Sequence, residues 1–357
     1  MRNCTIAEEK ITCKMETKNN KRNFALDVIR ALAITLVITI HTFSFDVNKG
    51  ACLMQESILC LAKMAVPLFV LLTGYLNNYK TIEDYYAKGK WKGCLRVLLA
   101  YVVLGSLCYV VSILLGRSGD VIDYIKKMLS FKLTPYGWYI EMWIGLFFMT
   151  PFLNIIYRNL NKRAEHILLV TLLLLSSVAL FFNRNGNTVI PAFWMSLWPI
   201  TLYYLGAYLS RHEVAIRNLI LWGLLFIVVF GEPLLNLCLN THTYLYFWGG
   251  QDGLVYLVSA FATFVLVLRI FKDKYYCNFV SGGVFIVSKQ SLNMYLISAL
   301  FDSIGRHLLR EQITNTTSDV LPFLFLLLCF SFICSLLVSC LYDKIIKIIH
   351  LCVNLLT

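Results

Sequence analysis

Residues 24–45 read FALDVIRALAITLVITIHTFSF, a segment that indicates the class of fold. A membrane-spanning helix needs about 20 predominantly apolar residues, and this segment meets that length. It nevertheless contains Asp27, Arg30 and His41, although a charge at the centre of a membrane helix costs at least about 2.5 kcal/mol even on insertion scales. Ionisable groups kept within a spanning helix predict a functional site inside the membrane.

The three ionisable residues lie on one face of this helix. At about 100° per residue, the steps from Arg30 to His41 bring the two side chains to within about 20° of each other. Asp27 precedes Arg30 by one turn and shares its face, and a rise of about 1.5 Å per residue separates Arg30 from His41 by about 16 Å. A purely structural interpretation stays open, because an arginine near a helix end extends to the interface and a histidine bonds a neighbouring helix.

The composition supports a membrane protein. Of 357 residues, 59% are hydrophobic and 15% are charged, whereas soluble domains are about 45–50% apolar and about 25% charged. This excludes a water-soluble enzyme, a disordered chain and a nucleic-acid-binding module. The 12 cysteines form no CxxC pair and no cluster with zinc spacing, so we expect neither a disulfide framework nor a metal site.

The apolar runs predict an all-α integral membrane protein with about ten transmembrane helices. We expect a polar, flexible cytoplasmic tail at 1–22, a ten-helix domain at 23–350 and a short C-terminal tail at 351–357. The ten predicted spans are 24–45, 56–78, 94–115, 137–157, 165–182, 192–210, 215–239, 252–271, 283–304 and 321–348.

The basic residues predict the orientation of the chain. With a cytoplasmic N-terminus, 21 of the 32 Lys and Arg fall in cytoplasmic segments, 8 fall in external segments and 3 lie within spans. This excess agrees with the positive-inside rule, so we expect both termini in the cytoplasm and a multi-pass protein of the cytoplasmic membrane. The predicted external loop 116–136 fits least well, because it carries four of the eight external basic residues.

Further ionisable residues are predicted at two depths in the membrane. Lys63, Glu141 and Asp302 fall at the depth of His41, where an acid, a base and an imidazole suit acid–base chemistry, although an ordinary Lys–Glu pair explains them equally well. Basic residues at the depth of Arg30 suit either lipid phosphates or the phosphates of a soluble anionic cofactor; these are Arg96, Arg269 and Lys289.

Five segments carry a family resemblance; in chain order they are RALAITLVITIH (30–41), VPLFVLLTGYL (66–76), WYI (138–140) continuing to PFL (151–153), YLGAYL (204–209) and SLNMYLI (291–297). Together they resemble the acyltransferase-3 family of multi-pass membrane acyltransferases. The resemblance covers the chain from about residue 23 onward, and although each motif alone is weak, their number and order make it specific. Two positions depart from the family pattern. Thr73 replaces a common serine, and Ser298 stands where a histidine is frequent, which puts the handling of the acceptor in doubt.

The resemblance implies an O-acyltransferase that uses cytoplasmic acyl-CoA, often acetyl-CoA, as co-substrate and acylates a hydroxyl of an envelope or exported glycan. It implies no tightly bound cofactor, and a glycan or lipid-linked saccharide as acceptor. The chain ends soon after the last predicted span, so we expect no fused extracytoplasmic domain. We expect no nucleic-acid partner and leave open a homodimer, the acyl group and the identity of the acceptor.

From this resemblance and the residue patterns we predict three sets of site residues. His41 would act as the base or as a transient acyl carrier, with Glu141 orienting the imidazole and Lys63 stabilising negative charge. The predicted donor-binding residues are Arg30, Asp27, Arg96 and Lys289. The predicted acceptor-binding residues are Trp138, Tyr139, Tyr295 and Asp302, although Trp138 and Tyr139 also fit an interfacial aromatic belt.

Two other classes of protein remain compatible with the residues. In a proton-coupled transporter, Asp27, Arg30 and His41 would form a proton relay and no CoA would be consumed. A non-catalytic membrane component of a polysaccharide export system would tolerate the loss of His41 and bind no acyl-CoA.

Overall fold

The protein is described by a computed structural model that covers residues 23–44, 53–86, 91–183, 189–238, 250, 252–272, 279–315 and 321–356. These residues form α-helices and one 3₁₀ helix, Phe193–Leu197, and contain no β-strand. The α-helices are α1 Phe24–Phe43, α2 Leu53–Ala62, α3 Ala65–Asn77, α4 Ile82–Tyr86, α5 Trp91–Leu114, α6 Val121–Leu129, α7 Trp138–Arg158, α8 Lys162–Phe182, α9 Trp198–Arg211, α10 Asn218–Cys238, α11 Leu254–Ile270, α12 Phe279–Asn315 and α13 Leu321–Leu356.

The all-helical prediction is confirmed, and each of the ten predicted segments overlaps a helix of the structure. Within the described ranges, seven helices are long and apolar enough to cross a membrane, so the chain is a multi-pass membrane protein. Span number ten and the cytoplasmic termini stay predictions, and the predicted tail at 1–22 lies outside the described residues. The helix bounds differ most at the ends of the last two helices, since α12 continues to Asn315 beyond the predicted end at residue 304 and α13 continues to Leu356 beyond the predicted end at residue 348.

The second predicted span consists of two helices, α2 and α3, that meet at a turn. Pro67 lies in the first turn of α3 and has no amide hydrogen, so the carbonyl of Lys63 cannot receive the usual helical bond from it. The adjoining bonds are kept, from Lys63 to the carbonyl of Leu59 and from Leu68 to the carbonyl of Met64. The amide of Pro67 is therefore the one hydrogen-bond donor missing at the turn between α2 and α3.

Two short helices lie in segments that the apolar pattern left as loops, α4 and α6. Asp120 caps α6 by accepting a hydrogen bond from the amide of Asp123 at 2.7 Å. No side chain of α6 is buried, and an apolar face made of Val121, Ile122, Ile125 and Leu129 is exposed. Such an amphipathic helix fits the interface between lipid headgroups and acyl chains.

Helix α1 lies at the centre of the bundle and packs against α2, α3, α11, α12 and α13. Its residues Ile29, Ala33 and Ile34 are completely buried. Helices α5, α10 and α13 instead expose long apolar faces, which suits contact with lipid. Helix α1 therefore lies inside the bundle and not on its lipid-facing surface.

Helices α3 and α9 form the most extensive packing between two helices in the described part of the chain. Gly74 and Gly206 lie at their crossing, so the two backbones touch. A Cβ atom at Gly74 would lie 2.9 Å from Cα of Tyr203 and nearer still to its carbonyl group, and one at Gly206 would lie 2.9 Å from the amide nitrogen of Tyr75. Small residues permit this close approach in membrane helices.

Candidate active site

The N-terminal end of α1 carries a buried carboxylate that organises Arg30. Asn23 caps the helix by accepting a bond from the amide of Ala25 at 2.9 Å. Asp27 is completely buried, and its Oδ1 accepts hydrogen bonds from Arg30 Nη1 at 3.2 Å and from Ser288 Oγ at 2.5 Å. The side chain of Arg30 remains 28% exposed and lines an open space.

That open space is a cleft formed by two adjoining cavities of about 280 Å³ and about 590 Å³, which share Arg30, Leu76 and Ser291 as lining residues. We call the two together the Arg30 cleft. The larger cavity is also lined by Asn23 and Lys289, at the N-terminal end of α1. The smaller cavity extends inward; its other lining residues are Phe69, Leu72, Thr73, Asn77, Val97, Tyr139, Trp143, Leu292 and Tyr295.

The basic residues predicted at the depth of Arg30 have different surroundings. Lys289 lines the cleft and forms an ion pair of 2.8 Å with Asp343 of α13. Arg96 is exposed and lines neither cavity of the cleft, although the next residue, Val97, does. Arg269 hydrogen-bonds the side chain of Asn218 and backbone carbonyls before α10, so it stabilises that connection.

A row of three tyrosines separates the inner end of the Arg30 cleft from His41. The ring of Tyr295 lies 5.0 Å from that of Tyr139 and 5.8 Å from that of Tyr136, measured between centroids. Tyr136 in turn stacks on the imidazole of His41 at 3.9 Å. We call Tyr136, Tyr139 and Tyr295 the tyrosine barrier; their hydroxyls form no hydrogen bond with any residue that the structure describes.

His41 is half-buried at the C-terminal end of α1, where Arg306 fixes the backbone. Arg306 donates a hydrogen bond to the carbonyl of His41 and pairs with Asp302 at 2.7 Å. Thr42 donates to the same buried carboxyl group at 3.5 Å. Within the described ranges the imidazole nitrogens have no hydrogen-bond partner, so the ring is oriented by stacking and by its backbone.

The structure does not bring Glu141 or Lys63 to His41: no hydrogen bond or ion pair joins either residue to His41 in the described part of the chain. Lys63 is buried between α2, α10 and α11, where its ammonium lies 3.1 Å from the hydroxyl of Tyr256 and 3.9 Å from a carboxylate oxygen of Glu232. A buried Lys–Glu pair does exist, but its carboxylate comes from a residue that the sequence argument did not consider.

Glu141 is exposed and lines a separate cavity of about 400 Å³, together with Trp138. We call this cavity the basic vestibule, because Arg117, Lys127 and Lys132 line it. Thr134 and Pro135, next to Tyr136, and Ser303, next to Asp302, line it as well. The basic vestibule therefore lies next to chain positions that flank Tyr136 and Asp302, and it shares no lining residue with the Arg30 cleft.

Sequence reasoning missed three residues of this arrangement, namely Tyr136, Ser288 and Arg306. Arg306 stands four residues after Asp302, a spacing that favours an ion pair on one helix face, so that signal was present in the sequence. Tyr136 lies just before the Trp138–Tyr139 motif, and Ser288 is a small hydroxyl residue. For neither Tyr136 nor Ser288 does the sequence pattern indicate which helix the side chain contacts.

The helical membrane fold and the comparison with known families together identify a membrane acyltransferase. A model of the acyltransferase-3 family, described as an acyltransferase domain, matches residues 23–340. The chain therefore belongs to the acyltransferase-3 family. No curated protein and no solved structure was found that matches the chain.

Proposed function

We propose that the protein transfers an acyl group, most simply acetyl, from cytoplasmic acyl-CoA to a hydroxyl of an envelope or exported glycan. The observation that carries the proposal is the continuous arrangement along α1. The Arg30 cleft begins at a guanidinium, ends at Tyr139 and Tyr295, and is followed by Tyr136 and His41. The axial distance of about 16 Å between Arg30 and His41 suits an extended pantetheine arm.

In the donor half of the site, Arg30 and Lys289 would bind the phosphates of CoA. Arg30 suits this role because it lines both cavities of the cleft while the buried carboxylate of Asp27 holds its guanidinium. A guanidinium presents several donors in a fixed plane, which matches phosphate oxygens. The apolar and aromatic lining of the smaller cavity would take the pantetheine arm and exclude water around the thioester.

In the transfer step, His41 would take the proton of the acceptor hydroxyl as that oxygen attacks the thioester carbonyl carbon. The new C–O bond forms, the C–S bond breaks, and the CoA sulfur leaves and receives the proton from the imidazolium. Hydroxyls of the tyrosine barrier are available to donate to the developing oxyanion. We leave Lys63 out of this step, because its ammonium lies against Tyr256 and Glu232.

Base-labile O-acetyl on envelope and exported glycans of the native host tests this proposal. Wild type, a deletion and His41→Ala are compared at matched expression, with His307→Ala as control, because His307 is exposed on α12. We expect acetyl to be lost in the deletion and in His41→Ala and kept in the control. Full acetylation with His41→Ala would contradict the role of His41.

Acetyl unchanged in the deletion as well would exclude acetyl transfer to the glycans sampled. Acetyl-CoA binding to the purified protein would then separate the remaining explanations. Binding would retain the donor half of the proposal with another acceptor. Its absence, together with ion-dependent flux through reconstituted protein, would indicate a transporter instead.

A further inference from the structure

Three of the four basic residues in the predicted external loop 116–136 line one cavity, the basic vestibule. The positive-inside rule disfavours basic residues on that side, so their presence there needs another explanation. Lys126, the fourth, is exposed on α6 and does not line the cavity.

The charges within the basic vestibule are unequally compensated. Lys127 forms an ion pair of 2.7 Å with Asp123, and the hydrogen bonds from Lys127 and Tyr109 lower the pKa of that carboxyl group, which keeps it ionised. Arg117 and Lys132 are exposed and have no ion-pair partner in the ranges that the structure describes. Two positive charges therefore face the cavity without a carboxylate paired to either.

The rest of the lining fits a saccharide. Trp138 offers a half-buried aromatic face, on which a sugar ring stacks, and Glu141 offers acceptors for sugar hydroxyls. Ser112, Ser130 and Ser303 also line the cavity. The exposed apolar face of α6 indicates that the cavity opens at the membrane surface, where a lipid-linked saccharide has access.

We infer that the acceptor of this acyltransferase is an anionic saccharide, whose carboxylate or phosphate oxygens are bound by Arg117 and Lys132 in the basic vestibule. The inference rests on the proposed function, since it names the acceptor of that reaction. A uronic-acid carboxylate within the glycan and a diphosphate of its lipid carrier present the same oxygen chemistry to these two residues.

Two pairs of probes test the inference by binding to the full chain in phosphatidylcholine nanodiscs. One pair is an acidic tetrasaccharide of alternating uronic acid and its carboxyl-reduced form, and the other is undecaprenyl diphosphate and undecaprenol. We expect the charged member of at least one pair to bind about tenfold more tightly, a preference that shrinks as salt is raised. A preference within the tetrasaccharide pair would identify the sugar as the source of the anion. A preference within the undecaprenyl pair would identify the lipid carrier.

Variants of basic residues test whether the preference for the charged probe depends on the basic vestibule. The double variant Arg117→Gln/Lys132→Gln should lose most of the discrimination, and Arg117→Lys should keep it. The control variant Lys126→Gln/Arg163→Gln also removes one lysine and one arginine charge, but from exposed positions outside the cavity, and it should bind like wild type. Thermal unfolding of each variant shows that it is folded, since all four positions are exposed.

Equal binding of both members in both pairs would overturn the inference, and so would discrimination that survives in Arg117→Gln/Lys132→Gln. If neither probe pair is discriminated but phosphatidylglycerol in the nanodisc protects Lys132 from chemical labelling, the cavity binds bilayer lipid and the inference is wrong. The readout is binding and not transfer, so its failure leaves acetyl-CoA binding by the Arg30 cleft intact.

Discussion

Arg30 and Arg96 were both predicted to bind the donor, and their surroundings in the fold distinguish them. Arg30 is held by a buried carboxylate and lines both cavities of the cleft. Arg96 is on the outer surface of α5, where a guanidinium is free to meet lipid phosphates. Two arginines at one predicted depth thus have different expected roles, because depth does not specify the direction of a side chain.

Replacing Arg30 should weaken donor binding selectively. We expect Arg30→Ala to reduce acetyl-CoA affinity by about 10- to 100-fold, as for the loss of one or two charged hydrogen bonds. Arg96→Ala is the matched control and should change the affinity by less than about threefold. Isothermal titration of the purified variants measures both, and a larger loss with Arg96→Ala than with Arg30→Ala would contradict the assignment of the cleft.

The sequence pointed to His41 as a candidate site residue but not to the residues that contact it. Its distance and direction from Arg30 follow from helix geometry alone, and the structure agrees that both belong to one uninterrupted helix. The stacked ring of Tyr136 comes from a different part of the chain, and Arg306 from another still. Those contacts depend on how α1 is rotated against α7 and α12.

Two of the family-like segments contact each other. Gly74 belongs to VPLFVLLTGYL and Gly206 to YLGAYL, and the two glycines lie at the crossing of α3 and α9. Their role is to bring two backbones into contact, so these parts of the motifs have a structural explanation. The same α3 also carries Phe69 and Thr73, which line the Arg30 cleft, so a shift of this crossing would alter the cleft.

Adding one methyl group at this crossing should destabilise the bundle. Gly74→Ala and Gly206→Ala each place a Cβ against backbone atoms that cannot move aside, and we expect a loss of about 1–3 kcal/mol in the free energy of unfolding. Gly223→Ala on α10 is the control, because nothing lies within 4 Å of its Cβ position and alanine favours a helix. Thermal unfolding in detergent compares the three, and equal stability of all variants would contradict the close crossing.

The turn between α2 and α3 follows from neighbouring residues in the chain, whereas the contacts of Lys63 at that turn do not. Pro67 is visible in the sequence, and its missing donor suffices to explain the turn at Lys63. The partner of Lys63 is not local: Tyr256 is 193 residues away in the chain. Sequence reasoning could therefore place Lys63 at a depth but could not choose between Glu141 and Glu232 as its carboxylate.

In the whole bundle the Arg30 cleft and the basic vestibule are separate cavities that share no lining residue. In the proposed reaction the donor would enter the first cavity and the acceptor the second. This requires that the two cavities open to opposite sides of the membrane, as the distribution of basic residues predicts.

Fusion proteins test that orientation for the complete chain. Green fluorescent protein joined after Thr357 should fluoresce, because the C-terminus is predicted to be cytoplasmic. Alkaline phosphatase joined after Ser118 should be active, because that loop is predicted to be external, and the same enzyme joined after Lys92 should be inactive. An active phosphatase after Lys92 and an inactive one after Ser118 would reverse the orientation and the proposed sides of donor and acceptor.

The sequence was sufficient for the helical membrane fold and for the predicted shared face of Arg30 and His41, and five motif segments carried the resemblance to the family. The first two follow from local rules, since the bilayer requires a fixed length of apolar residues and a helix has a fixed pitch. The pairing of Lys63 with Glu232, the place of Glu141 in the basic vestibule and the stacking of Tyr136 on His41 came from packing. These contacts join helices distant in the chain, and the rotation and depth of one helix against another depend on the shapes of all the side chains between them.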